Sequence, residues 1–300
     1  MSETSGLVAE HLPKHAGLIE SYIIETETLF PADMASAGHW EHTMAFDKGA
    51  QDSALYGACR GDSIEMVKEL LKRPGIDVNF GLLGASSGGN IEAADLMVAH
   101  GATLDENHGG NLAEAAAKFG NSLPMVKWLA ERRAETPRDI DYILEGSCGN
   151  GNADLISYAI DRGARNWDQG AFAAAEGGNM ETVALMLGKG ASINSVLAGA
   201  CAGGSAEIAN HALQRNATDY NAAARAAAGE GRLDYVELMF KQGATDVNGV
   251  FTEGYHRDDW SAARLKVVEW ALARGAERCL LCEKKSPSAH IDEMRAALAK

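Results

Sequence analysis

The stretch Gly84–Asn90, "GASSGGN", runs straight into "IEAADLMVAHGA" (91–102), and the reading of these residues decides the fold. A glycine-rich run that opens a helix is one way to cradle a phosphate, with backbone N–H groups and the helix N-terminus facing the anion. A Walker-type loop would place a Lys and a hydroxyl residue directly after its last Gly, whereas Asn90 and Ile91 follow Gly89. The run also has relatives along the chain: "GACRGDS" (57–63), "GSCGNGN" (146–152), "AAAEGGN" (173–179) and "GACAGGS" (199–205). One such loop is a candidate site, but five copies are an architecture, and the glycines read as turns.

Aligning on the apolar residue after each run gives Ile64, Ile91, Leu123, Ala153, Met180, Ala206, Leu233 and Leu265, an eightfold repeat of about 27 residues. Three residues past these anchors stand Val67, Ala94, Val126, Ile156, Val183, Ala209, Val236 and Val268. Seven past them stand Leu71, Val98, Ala130, Ile160, Leu187, Leu213, Phe240 and Leu272. Apolar offsets 0, 3 and 7 lie along one side of a helix, so a helix of about ten residues is expected after each anchor with that stripe buried. Ten past the anchor come Gly101, Gly163, Gly190, Gly243 and Gly275, with Asn216 in the same column. These residue types tolerate the left-handed conformation that ends a helix. Pro74 and Arg133 interrupt the column, so those two helices are expected to end differently. Six before the anchor, Ala58, Ala85, Ala117, Ser147, Ala174, Ala200 and Ala227 are all small, as close helix approach demands, and a shorter upstream helix is expected there. Neither helix of a pair buries its stripe alone, so units must stack. The fold expected is all-α, an α-solenoid of helix-turn-helix repeats with helical caps.

The segments "GGNIEAADLMVAHGATLD", "GGNMETVALMLGKGASIN" and "GDSIEMVKELLKRPGIDVN" resemble the second half of an ankyrin repeat, with its glycine turn, apolar helix and "GADVN"-like exit. The resemblance covers about residues 51–277 and implies a protein-binding scaffold or adaptor without catalytic activity or cofactor. The "TPLH" opening is absent and the unit is shorter than the ankyrin 33, which implies missing or reduced finger hairpins. Short repeats of this kind are similar to those of ankyrin proteins of large DNA viruses. Residues 1–33, with "LIESYIIETETLF", read as an N-terminal helical cap. Residues 34–282 read as the repeat array, one degenerate unit plus eight, and residues 283–300 as a C-terminal capping helix. Leu12 and Pro13 before "LIESYI", with Trp40 downstream, are similar to an F-box opening, which would imply a ubiquitin-ligase adaptor.

With 46% hydrophobic residues and 23% charged, the chain has ample core material, and no apolar run approaches a membrane span. "MSETSGLVAEHLPKH" lacks a basic segment leading into an apolar one, and five cysteines suit a reducing compartment. An intracellular, cytoplasmic place is expected, in a host cell if the chain is viral. A net charge of −15 argues against nucleic acid, which needs a basic footprint, and favours a neutral or basic protein partner.

Candidate chemistry is sparse. Cys59, Cys148 and Cys201 share a column with Ser86, Ala175 and Ala228 and read as small packed residues. Cys279 and Cys282 have zinc spacing with only His290 nearby, and His39 and His42 share a helix face with Asp33 as a further candidate ligand. These support the alternative of an enzyme or metal-binding protein with a site grafted on the groove. Aromatic residues make up only 6% of the chain. Trp167 and Tyr220 are placed in connectors between units, as are Phe80, His108 and Phe251, and aromatics gathered on one edge are the usual anchors of an interface. Tyr56, Glu145 and Arg225 are placed along the first-helix face. Tyr255, His256 and Trp260 belong to an irregular eighth unit, where Asp259 replaces the usual small residue. These ten residues, Trp167, Tyr220, Phe80, His108, Tyr56, Glu145, Arg225, Tyr255, His256 and Trp260, are the expected partner-binding set.

Overall fold

The computed structural model describes residues 48–61, 63–105, 112–133, 135–255 and 261–277, with 295, 296 and 298. Among them are sixteen helices and no strand. In chain order these are α1 (Lys48–Arg60), α2 (Ile64–Leu70), α3 (Val78–Gly88), α4 (Ile91–Ala99), α5 (Leu112–Lys118), α6 (Leu123–Arg132), α7 (Pro137–Asn150) and α8 (Ala153–Asp161). They continue with α9 (Trp167–Glu176), α10 (Met180–Gly188), α11 (Ile193–Gly203), α12 (Ala206–Gln214), α13 (Tyr220–Gly229), α14 (Leu233–Gln242), α15 (Val247–Tyr255) and α16 (Ala262–Ala273). The chain divides into two compact units, residues 1–115 and 116–300.

In the first unit α1 packs on α2 and α3, and α3 packs on α4. In the second, α7, α9, α11 and α13 each pack on their own downstream helix and on the next upstream helix, and α15 closes on α16. The arrangement is repeat-like and entirely helical. Seven of the eight sequence anchors are the first residue of a helix. The exception is Leu265, because α16 opens three residues earlier behind the Ser261 cap. The upstream helices, expected to be the shorter ones, exceed their partners in α1/α2, α3/α4, α7/α8, α9/α10 and α11/α12. Their alanine-rich runs favour helix but carry no contrast of apolar and polar residues from which a length is read.

The buried stripe of the downstream helices also differs from expectation. Offset 3 is fully buried in all eight, but offset 7 is half-buried throughout, and Ala153 and Ala206 at offset 0 are exposed. The core is completed instead by offset 6 (Leu70, Met97, Leu129, Ala159, Met186, Ala212, Met239 and Ala271) and by most of offset 2, among them Met66, Met125, Leu155 and Ile208. At about 100° per residue, offsets 2, 3 and 6 centre one face and offsets 0 and 7 fall on its flank. The apolar flank marked each helix without marking its deepest side.

The upstream helices meet backbone to backbone. A Cβ on Gly84 would lie 2.2 Å from the Tyr56 carbonyl oxygen and one on Gly88 2.0 Å from that of Arg60. In the second unit a Cβ on Gly199 would lie 2.1 Å from the Phe172 oxygen and one on Gly203 2.0 Å from that of Glu176. Only hydrogen fits at such distances. The column six before the anchor, from Ala58 to Ala227, is fully buried beside these contacts.

The helix ends behave as the columns require. Gly101, Gly163, Gly190, Gly243 and Gly275 have φ between 90° and 121°, and Asn216 joins them at 61°. A second left-handed column lies two residues before the anchors, where Asn121 (φ 45°) stands with Gly89, Gly151, Gly178, Gly204 and Gly231. The two interrupted helices do end differently. α2 stops at Leu70 and the positive φ moves to Gly75, whereas Arg133 is extended, with φ −144° and ψ 152°.

Candidate protein-binding face

A column twelve residues before the anchors links successive units. In the second unit Asp168 Oδ1 accepts the Ser192 N–H at 2.6 Å. Asn194 Oδ1 accepts those of Thr218 and Asp219 at 2.8 and 3.1 Å. Asn221 Oδ1 accepts those of Thr245 and Asp246 at 2.7 and 3.0 Å. Asp141 does the same for Arg165 and Asn166. In the first unit Asp52 and Asn79 accept from Asp77 and Thr103. Each of these connectors thus has turn amides satisfied by the preceding repeat, which fixes where the next upstream helix begins. A second ladder runs from the caps of the downstream helices. Asn90 Nδ2 donates to the Gly61 carbonyl at 2.7 Å and Asn179 Nδ2 to that of Gly149 at 2.6 Å. Arg232, which makes no side-chain cap, still delivers Nε to the Ala202 carbonyl at 2.6 Å.

On this frame one column of the upstream helices, eight before the anchor, carries changing side chains: Tyr56, Leu83, Ala115, Glu145, Phe172, Ala198 and Arg225. In the first unit the Tyr56 ring stacks on Phe80, centroids 4.9 Å apart, and its hydroxyl donates to Ser87 Oγ. In the second unit a depression of about 220 Å³ opens across α9, α11 and α13, with Phe172 and Ala198 between the polar ends Asp168, Asn194 and Asp219. Arg225 pairs with Asp246 at 2.7 Å beside it in sequence order, on α13.

Trp167 and Tyr220 are not in connectors. They are the first residues of α9 and α13, half-buried. The Trp167 ring faces the Arg165 and Lys189 cations at 5.9 and 6.0 Å, and the Tyr220 ring lies beside Gly243 at the end of α14. Five positions separate these residues from the column of Phe172 and Arg225, about 140° around a helix, so the two sets do not form one surface. Phe80 likewise belongs to the first turn of α3, and Phe251 is a fully buried residue of α15. Tyr255 is also withdrawn from the expected surface, since it is 8% exposed and stacks with Phe251. His108, His256, Asp259 and Trp260 lie outside the described residues, as do Asp33, His39, His42, Cys279, Cys282 and His290.

The sequence reading missed Phe172, Asp168, Asn194 and Asp219. The Asp/Asn column is visible in the sequence as a recurring polar identity, but no apolar periodicity marks it or ties it to Phe172 and Asp219. Among the described residues no group of three or more His, Cys, Asp or Glu side chains is placed to hold a metal. Cys59, Cys148 and Cys201 are buried thiols. Burial pushes each up to about 12, helped by Glu145 at Cys148 and by Asp234 at Cys201, so essentially no thiolate exists at neutral pH. No described helix is long and apolar enough to cross a membrane. Neither protein-family models nor curated proteins give a match to the chain.

Proposed function

We propose that the chain is a non-enzymatic protein-interaction module of the ankyrin-repeat type, an α-solenoid whose upstream-helix face receives a protein partner. The observation that carries this reading is the contrast between columns. In the second unit the Asp/Asn ladder keeps an acceptor oxygen in place from Asp141 to Asn221 and the column from Ala117 to Ala227 stays small and buried, whereas the column of Glu145, Phe172, Ala198 and Arg225 changes in size or charge at every step. A constant frame that presents a changing row of side chains is how stacked repeats build a specific surface. The acidic balance of the chain favours a neutral or basic partner.

The test is affinity capture with Glu145, Phe172 and Arg225 of the second unit replaced together by Ala, against a control with the exposed Phe119 and Leu185 replaced. The expected result is loss of captured proteins in the first variant alone, at a retained melting temperature. Capture unchanged there, or abolished by the control, would place binding elsewhere. The repeat reading has its own test. Removal of residues 180–205 joins Asn179 to Ala206, cap to helix start, and leaves Asp168 to meet the Thr218 amide, so a shorter folded helical protein is expected. Loss of the helical circular dichroism would overturn it.

A further inference from the structure

The depression across α9, α11 and α13 has a chemistry of its own. At about 220 Å³ it is smaller than the roughly 300–1,000 Å³ of small-molecule pockets and has room for one large side chain. Its wall offers the Phe172 ring together with the carboxylates of Asp168 and Asp219, and no basic side chain lines it. Each carboxylate is held in place through one oxygen: Asp168 Oδ1 by the Ser192 amide at 2.6 Å and Asp219 Oδ1 by the Ala222 amide at 3.0 Å. The second oxygen of each has no hydrogen-bond or ion-pair partner among the described residues.

The negative charge at these two positions exceeds what the backbone asks of them. Asn79, Asn194 and Asn221 accept the same ladder bonds as Asp168 with a neutral amide, and Asn166 caps α9 as Asp219 caps α13. A first-turn carboxylate does interact favourably with the helix dipole, but that benefit would be read in stability and not in binding.

We infer that this depression seats an arginine side chain from a basic segment of the partner. The guanidinium stacks on Phe172 while its N–H groups donate to the free oxygens of Asp168 and Asp219. A planar cation with a fork of donors suits an aromatic wall flanked by carboxylates better than the compact ammonium of lysine. The inference rests on the binding-face reading and adds the partner's chemistry to it.

The experiment uses the full chain and three labelled nonapeptides of glycine and serine that carry three arginines, three lysines or three glutamates, read by fluorescence anisotropy. The arginine peptide is expected to bind most tightly and to weaken as salt rises. Asp168→Asn with Asp219→Asn is expected to weaken it at least tenfold with only a small fall in melting temperature, since both hydrogen bonds to backbone survive and only the dipole interaction is lost. Phe172→Leu is expected to narrow the preference for arginine over lysine. Asp154→Asn with Asp161→Asn, two exposed charges on α8, removes the same net charge elsewhere and should have little effect. Equal weakening by both pairs, or an arginine peptide bound no better than the lysine one, overturns the inference. If capture in the earlier test is lost with the three-residue variant while the Asp168/Asp219 pair leaves it intact, the binding face stands and the arginine falls.

Discussion

Two joints in the second unit do the same job by different physics. Between α10 and α11 the chain turns through Gly190 at φ 105°, and the Ala191 amide returns to the Met186 carbonyl at 3.1 Å. Ser192 then caps α11 and no charged pair takes part in the turn itself. Between α6 and α7 none of the described residues is left-handed. Arg133 runs extended, and its Nη2 donates to Asp139 Oδ1 at 2.7 Å. Asp139 is fully buried, its other oxygen accepts from the Thr136 amide and hydroxyl at 2.8 Å each, and Thr136 completes a capping box on α7, the longest of the described helices. Glu135 in the same joint accepts from the Tyr158 hydroxyl at 2.7 Å and pairs with Arg162. Where a backbone conformation ends a helix, the joint is indifferent to charge. Where a buried ion pair ends it, stability depends on protonation.

Breaking the charged joint is expected to have the largest effect. Asp139→Ala strands the Arg133 guanidinium, and loss of one partner of a buried pair costs about 3–5 kcal/mol, read as a shift of the urea midpoint. The glycine joint should cost less when disturbed. Gly190→Val forces a branched side chain into positive φ with no neighbour to clash with, for about 2 kcal/mol. A result with Gly190→Val the more damaging would mean that the Arg133–Asp139 pair is dispensable. The two joints also separate by pH. Burial pushes the Asp139 carboxyl up, but the Arg133 and Thr136 hydrogen bonds and the Arg133 charge outweigh it and hold the carboxyl below the usual carboxylate range. A depressed folded-state value stabilises the protein above the unfolded value of about 3.9, and the benefit fades as pH falls through the folded one. Thermal melts of wild type and Asp139→Asn should therefore converge as the solution is acidified, while Gly190→Val should keep a constant offset from wild type.

Smaller effects sharpen the comparison further. Asp168→Ala removes the acceptor for the Ser192 amide at the glycine joint and is expected to cost about 1 kcal/mol, whereas Asp168→Asn should stay within about 0.5 kcal/mol. Equal losses for the two would show that charge, and not the ladder bond, holds α11 in place. Asn216→Gly, at φ 61°, is expected to be neutral or stabilising by at most about 1 kcal/mol, since glycine relieves the left-handed strain but loses more freedom on folding. Destabilisation there would point to a side-chain role for Asn216 that its backbone conformation does not require.

The repeat period, the helix starts and the left-handed ends were set by the sequence alone, because each rests on local chemistry repeated many times. Glycine or asparagine at positive φ and an apolar residue at a helix start leave the same mark in most units, from Ile64 and Gly89 to Leu233 and Gly243. Only the tertiary structure decided which side of each helix is deepest, because offsets 0, 3 and 7 and offsets 2, 3 and 6 are both apolar and differ only in what packs against them. It also decided that Trp167 and Tyr220 sit at helix starts away from the column of Phe172 and Arg225, and that Tyr255 is buried. The depression between Phe172, Asp168 and Asp219 comes from three successive upstream helices brought side by side, and no spacing within one repeat records it. Arg133 shows the same limit: as a break in a glycine column it was plain in the sequence, but its partner Asp139 emerged only when the fold buried both in one joint.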